Sequence, residues 1–144
     1  MKTIELIAGF WKDKCGASAV EFAIVSPVLL YLLFGFIAYG IYFGALHSVQ
    51  QLAADAARVS VAGLDDAERK KLVDDYIAAN AGDYVLLDSQ FLTHSAAPSD
   101  ADAGQFRVSV TYDAAQLPIW NLYSGLPLPG KTIARTSTIR LGGV

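Results

Sequence analysis

"KDKCGASAVEFAIVSPVLLYLLFGF", residues 12–36, decides how this chain is read. Lys12, Asp13 and Lys14 form a charged step, and from Ala17 almost every residue is apolar, with Glu21 as one carboxylate inside the run. The 25 residues from Phe22 to Leu46 carry no charge. A helix of that length measures about 37 Å, against about 30 Å for the hydrocarbon core of a bilayer, which predicts one tilted span. The apolar region of a cleavable secretory signal is only about 7–15 residues. A lipoprotein signal fails too, because Lys12, Asp13 and Lys14 stand where its apolar region would precede Cys15.

The flanks set the expected orientation. Lys2, Lys12, Lys14 and the amino terminus precede the run, whereas Arg58 is the only Lys or Arg in the twenty residues after it. The positive-inside rule then puts the N-terminus in the cytoplasm and the C-terminal part across the membrane. Of the 144 residues 53% are hydrophobic, but the excess is concentrated in this run. The rest is enough for one small domain. A net charge of −3 gives a nucleic-acid partner little electrostatic support. Cys15 is the single cysteine, so no internal disulfide forms.

Working outward, Ile4, Leu6, Ile7, Phe10 and Trp11 make the first 16 residues a short amphipathic leader with some affinity for a membrane surface. Helix is expected from about Ala17, with Pro27 removing one backbone hydrogen bond. It continues past the span, since Val49, Leu52, Ala53, Ala56 and Val59 recur at helical spacing and Gly63 supplies a stop. A second helix is signalled by "DDAERKKLVDDYIAANAG" (residues 65–82). Asp65 and Glu68 form a capping-box pair, and Leu72, Val73, Tyr76 and Ile77 an apolar stripe. Strands are expected at 84–92, at "QFRVSVTYD" (105–113), which alternates cleanly, and at 131–141; residues 95–104 read as a solvated loop. The fold class is α+β: a long N-terminal helix, a second helix and a roughly three-stranded antiparallel sheet.

Glu21 asks for an explanation, since a carboxylate in an apolar membrane helix costs on the order of 3 kcal/mol. One answer is that it reaches the headgroups. Another is that it meets a cation from a second chain. The spacing bears on the second: Gly16, then Ala17, Ser18, Ala19 and Val20, then Glu21 and Phe22, with charges before and a long apolar helix after.

That arrangement resembles the processing site of type IV pilin-like precursors. Together with Pro27, the aliphatic continuation and the Ala-rich stretch ending "AADAARVSVAG", it is similar to the TadE-like family of minor pilins, or pseudopilins, of the tight-adherence (Tad/Flp) pilus. The resemblance is dense over residues 14–63. It implies a bacterial inner-membrane protein with a pilin-like architecture, divided into a leader (1–16), a transmembrane and assembly helix (17–46) and a periplasmic α+β domain (47–144). It implies cleavage by a prepilin peptidase between Gly16 and Ala17. The new amine on Ala17 would then neutralise Glu21 of a neighbouring subunit. Glu21 and Phe22 become assembly residues, and the implied partners are other pilin and minor-pilin subunits, the inner-membrane assembly platform and the lipid bilayer. Ala17 stands where many type IV pilins have Phe, a departure that bears on N-methylation. The rival reading is an uncleaved, single-span periplasmic adaptor.

Helix packing has its own candidates. Ala19 with Ala23, and Gly40 with Gly44, are small residues four apart that let helices approach closely. His47 and His94 stand without a Cys/His/Asp cluster at metal spacing. Asp65/Asp66 and Asp74/Asp75 read as a solvated helix face. "LPIWNLYSGLPLPG" (117–130), with Trp120 and Tyr123, reads as a lid over the core or a partner surface. No nucleophile–base set, phosphate loop, metal motif or cofactor motif is present in the sequence, and an enzyme is not expected.

Overall fold

The computed structural model describes residues 14–99, 102–122 and 125–141. Most of the expected leader (1–13) and Tyr123 lie outside them. The chain divides between Phe36 and Ile37 into two units. One helix, α1 (Lys14–Ser60, 47 residues), contributes to both.

In the first unit, α1 is helical three residues before Ala17 and stays helical through Pro27. Proline has no N–H for the carbonyl of Ala23, four residues back. The Ser26 hydroxyl donates to that same carbonyl, at 3.5 Å. Side-chain repair of this kind is how membrane helices tolerate proline. Phe22, Ile24, Val28 and Phe36 are among many apolar side chains here that stay exposed. The helix is long and apolar enough to cross a membrane, and the protein is compatible with a single-pass membrane topology.

The second unit begins at Ile37 and folds around the rest of α1. Ala38, Tyr42, Ala45, Val49, Leu52, Ala53, Ala56 and Ala57 are buried. Their spacing of three and four residues makes one stripe. The stripe ends on Ser60, buried, whereas Val59 is half-buried. Five of these residues are alanines, which permit close packing. α1 ends at Ser60, and Val61, Ala62 and Gly63 close a tightened last turn onto Arg58, Val59 and Ser60.

Gly63 lies just past the end of α1, as expected of a stop, but not with a left-handed backbone. Its φ is not positive. A Cβ there would lie 2.7 Å from Arg69 N and Cγ and 2.9 Å from Arg69 Cα. Gly63 is thus needed for the close approach of the second helix, α2 (Asp66–Asn80). Asp65 caps α2 by accepting from Glu68 N at 2.8 Å, and Glu68 Oε2 accepts from Leu64 N at 2.7 Å. The reciprocal bond of the capping box therefore falls one residue before the cap. Val73 and Ile77 are buried, while Tyr76 and Leu72 are half-buried beside them.

Three antiparallel strands follow in the order β1 (Leu92–Ser99), β2 (Asp102–Asp113), β3 (Thr132–Arg140). β2 is central, and Phe106, Val108, Val110 and Tyr112 put one face of it into the core. The opposite face carries hydroxyls, with Ser109 Oγ and Thr136 Oγ1 2.9 Å apart across the β2–β3 pair.

Two expectations are corrected here. Residues 84–87 form a turn and Ser89–Phe91 a short 3-10 turn, so the first strand is not 84–92. The described residues of the stretch expected as a loop, 95–104, are strand: Ser95–Ser99 pairs with β2, and β2 itself starts at Asp102. Pairing to a strongly alternating neighbour outweighs the poor strand propensity of Ser, Ala and Pro. β1 is an edge strand, where Pro98 is tolerated beside a register shift.

Candidate functional site

The candidate processing bond, Gly16–Ala17, lies in the first turn of α1, and both residues are exposed. First-turn N–H groups have no partner within the helix, so this turn opens most easily. Glu21 is exposed one turn later, about 6 Å along the axis from Ala17 and on nearly the same face. Among the described residues no ion pair engages it. Phe22 is exposed, as are Ala19 and Ala23. Glu21 is therefore presented outward, together with the apolar surface around it.

The glycine pair divides. Gly40 is exposed with nothing within 4 Å of where a Cβ would be, whereas at Gly44 that Cβ would meet Leu86 Cδ1 at 3.0 Å. Gly44 is engaged within its own chain.

The model of the TadE-like protein family matches residues 16–58, from the candidate processing glycine through Glu21 and Pro27 to Arg58. Over these residues the chain is similar to TadE-like proteins. No curated protein and no solved structure matches the chain. The matched segment runs on past the exposed apolar stretch into the part of α1 that makes core, and so covers the stripe Ala38–Ala57 as well as Glu21.

The other candidates settle as follows. His94 Nε2 lies 2.9 Å from Asp74 Oδ1, tying β1 to α2. His47 is exposed. Among the described residues no group of three or more His, Cys, Asp or Glu side chains could hold a metal ion. The acidic pairs are solvated but not idle: Asp65 is the cap, Asp66 meets Arg69 at 2.9 Å and Asp75 meets Lys71 at 2.8 Å. That last contact raises the Lys71 ammonium above its usual range, through the hydrogen bond first and charge second. The apolar loop is a lid at Leu117 and Ile119, which are buried. Trp120 Nε1 donates to Ala114 O at 2.7 Å, and Lys131 Nζ lies 5.4 Å from the Trp120 ring centre.

One polar feature was not anticipated. An open cleft of about 360 Å³ is lined by Ser48, Gln51, Tyr76, Asn80, Asp83, Tyr84 and Val85. Ser48/Gln51 and Tyr76/Asn80 are pairs at helical spacing, but only the chain's return through 83–85 brings them together.

Proposed function

We propose that this chain is a minor pilin of the Tad machinery, a structural subunit rather than an enzyme. It inserts with its N-terminus in the cytoplasm and its sheet-bearing domain in the periplasm. A prepilin peptidase removes residues 1–16, and the chain joins a pilus, at initiation or at the tip, through its N-terminal helix. The supporting observation is the helical surface from Gly16 to Phe36, apolar and exposed, which presents Glu21 outward one turn after the candidate cut. A carboxylate there is stabilised by an opposite charge within a few ångströms. The freed amine of Ala17 on a neighbouring subunit is such a charge, and Ala19/Ala23 permit the close approach.

The alternative is an uncleaved adaptor anchored by the same span, and one observation favours it: Gly16–Ala17 is helical rather than extended. N-terminal sequencing after co-expression with a prepilin peptidase separates the two. A new N-terminus at Ala17, abolished by Gly16→Ala, is the expected result. Met1 retained beside an active peptidase would overturn cleavage and leave the adaptor.

A further inference from the structure

The polar cleft lies wholly in the second unit, between α1, α2 and the residues that follow α2. Ser48 lines it and is only 8% exposed. A serine buried on a helix commonly turns its hydroxyl onto a carbonyl three or four residues back. Ser60 does so, donating to Ala57 O at 2.7 Å. The Ser48 hydroxyl makes no hydrogen bond among the described residues. A buried hydroxyl without a partner lowers stability, and the group that completes this one has to enter from the cleft.

The rest of the lining is rich in acceptors. The Tyr84 hydroxyl donates to Asp55, so the Tyr76 hydroxyl, 2.9 Å away, donates to Tyr84. Both phenol protons are thereby committed within the chain. Asn80 Nδ2 donates to Tyr76 O at 2.8 Å, which leaves its Oδ1 open. Gln51 adds a second amide. Asp83 is exposed and takes part in no ion pair among the described residues. No Lys, Arg or His lines the cleft, and Arg58, in the same part of α1, is paired with Asp55.

We propose that this cleft takes the guanidinium of an arginine side chain carried by a partner chain. A guanidinium has several N–H donors and no acceptor, the inverse of this lining. Its planar fork matches the Asp83 carboxylate in a bidentate pair, and tyrosine rings attract a cation. A sugar also brings donors, but its hydroxyls ask for donors in return, and both phenols have already placed theirs. A lysine ammonium is a compact point charge that engages fewer acceptors and leaves more of the 360 Å³ unfilled. Because the cleft is open, the backbone that carries the arginine stays outside it. The site serves a pilus subunit and an adaptor alike, since none of its residues precedes Ile37.

Titration of the full chain in uncharged detergent micelles tests this, followed by the side-chain amide resonances of Gln51 and Asn80. Gln116, exposed three residues after Asp113, is the surface reference. The probe is arginine blocked as its N-acetyl methylamide, compared with blocked lysine, free arginine and methyl glucoside. Expected is a saturating shift at Gln51 and Asn80 that Gln116 does not share. Blocked arginine should bind about threefold or more tighter than blocked lysine, and no more weakly than free arginine. With backbone resonances in place, Asp83→Asn should weaken binding about tenfold or more, and Ser48→Ala about two- to tenfold. No saturation, an equal shift at Gln116, or unchanged affinity in either variant overturns the site. Equal binding of blocked lysine means charge alone, tighter binding of free arginine means a small molecule, and saturation by methyl glucoside alone means a sugar; each overturns the proposal.

Discussion

The hydroxyl of Tyr84 donates to Asp55 Oδ2 at 3.0 Å, across 29 residues of sequence. It also lies 2.9 Å from the hydroxyl of Tyr76, and Asp55 is held in turn by Arg58 at 2.7 Å. One phenol thus links α1, α2 and the turn that follows α2. It does so beside the polar cleft, where partial burial and two hydrogen bonds favour its protonated form.

Burial first, then the bonds to Tyr76 and Asp55, raise the Tyr84 phenol above the ordinary tyrosine range. Tyr112 is raised as well, mainly by burial. A raised folded-state pKa favours the protonated fold, so the stabilisation is complete below about pH 10, the unfolded tyrosine value. It is lost as pH climbs above that toward the folded value. Thermal melts of the full chain in detergent should therefore be flat through neutral pH and fall above about pH 10. Tyr84→Phe should shrink that fall without removing it, since Tyr112 remains, and should lower neutral stability by about 0.5–1.5 kcal/mol. An unchanged alkaline limb would mean that Tyr84 ionises freely in the fold.

Gly63 and Gly82 make opposite predictions. An added methyl at Gly63 meets backbone atoms of Arg69 below 3.0 Å, while at Gly82 it meets nothing within 4 Å. Gly63→Ala should destabilise by about 1–3 kcal/mol, the usual effect of overpacking. Gly82→Ala should be neutral or stabilise by about 0.4–1 kcal/mol, because it reduces the freedom of the unfolded chain. Denaturant midpoints of the two variants, measured in the same detergent, check the difference in sign.

Asp65 begins α2 by holding Glu68 N. Asp65→Ala should cost about 0.5–2 kcal/mol, and Asp65→Ser much less, since a serine hydroxyl also caps. Hydrogen exchange would place the change in the first turn of α2. A uniform rise in exchange across the unit would instead mean that the cap is needed for the whole fold.

Much of this architecture was legible because its signals are local. The apolar run, the capping pair at Asp65 and Glu68, the alternation in 105–113 and the stripe at Val49, Leu52, Ala53 and Ala56 each need only neighbours in sequence. β1 was not legible, because Ser95, Ala96, Ala97 and Pro98 have weak strand propensity and become a strand only by pairing with β2. The cleft was hidden for the same reason: its walls come from three stretches of chain. Pro27 showed its missing donor in the sequence, but the repair by Ser26 depends on where the hydroxyl points.

What the sequence determined by itself is one long helix with an uncharged run, Phe22–Leu46, that follows the charged step Lys12–Lys14, with Glu21 one turn past Ala17. Charge and periodicity are local properties and need no fold to be read. Only the tertiary structure decided how that uncharged run divides. Side chains before Ile37 are largely exposed, whereas Ala38, Tyr42 and Ala45 belong to the core. Hydropathy is the same whether lipid or protein will cover a residue, so the division appears only when the rest of the chain has folded against the helix.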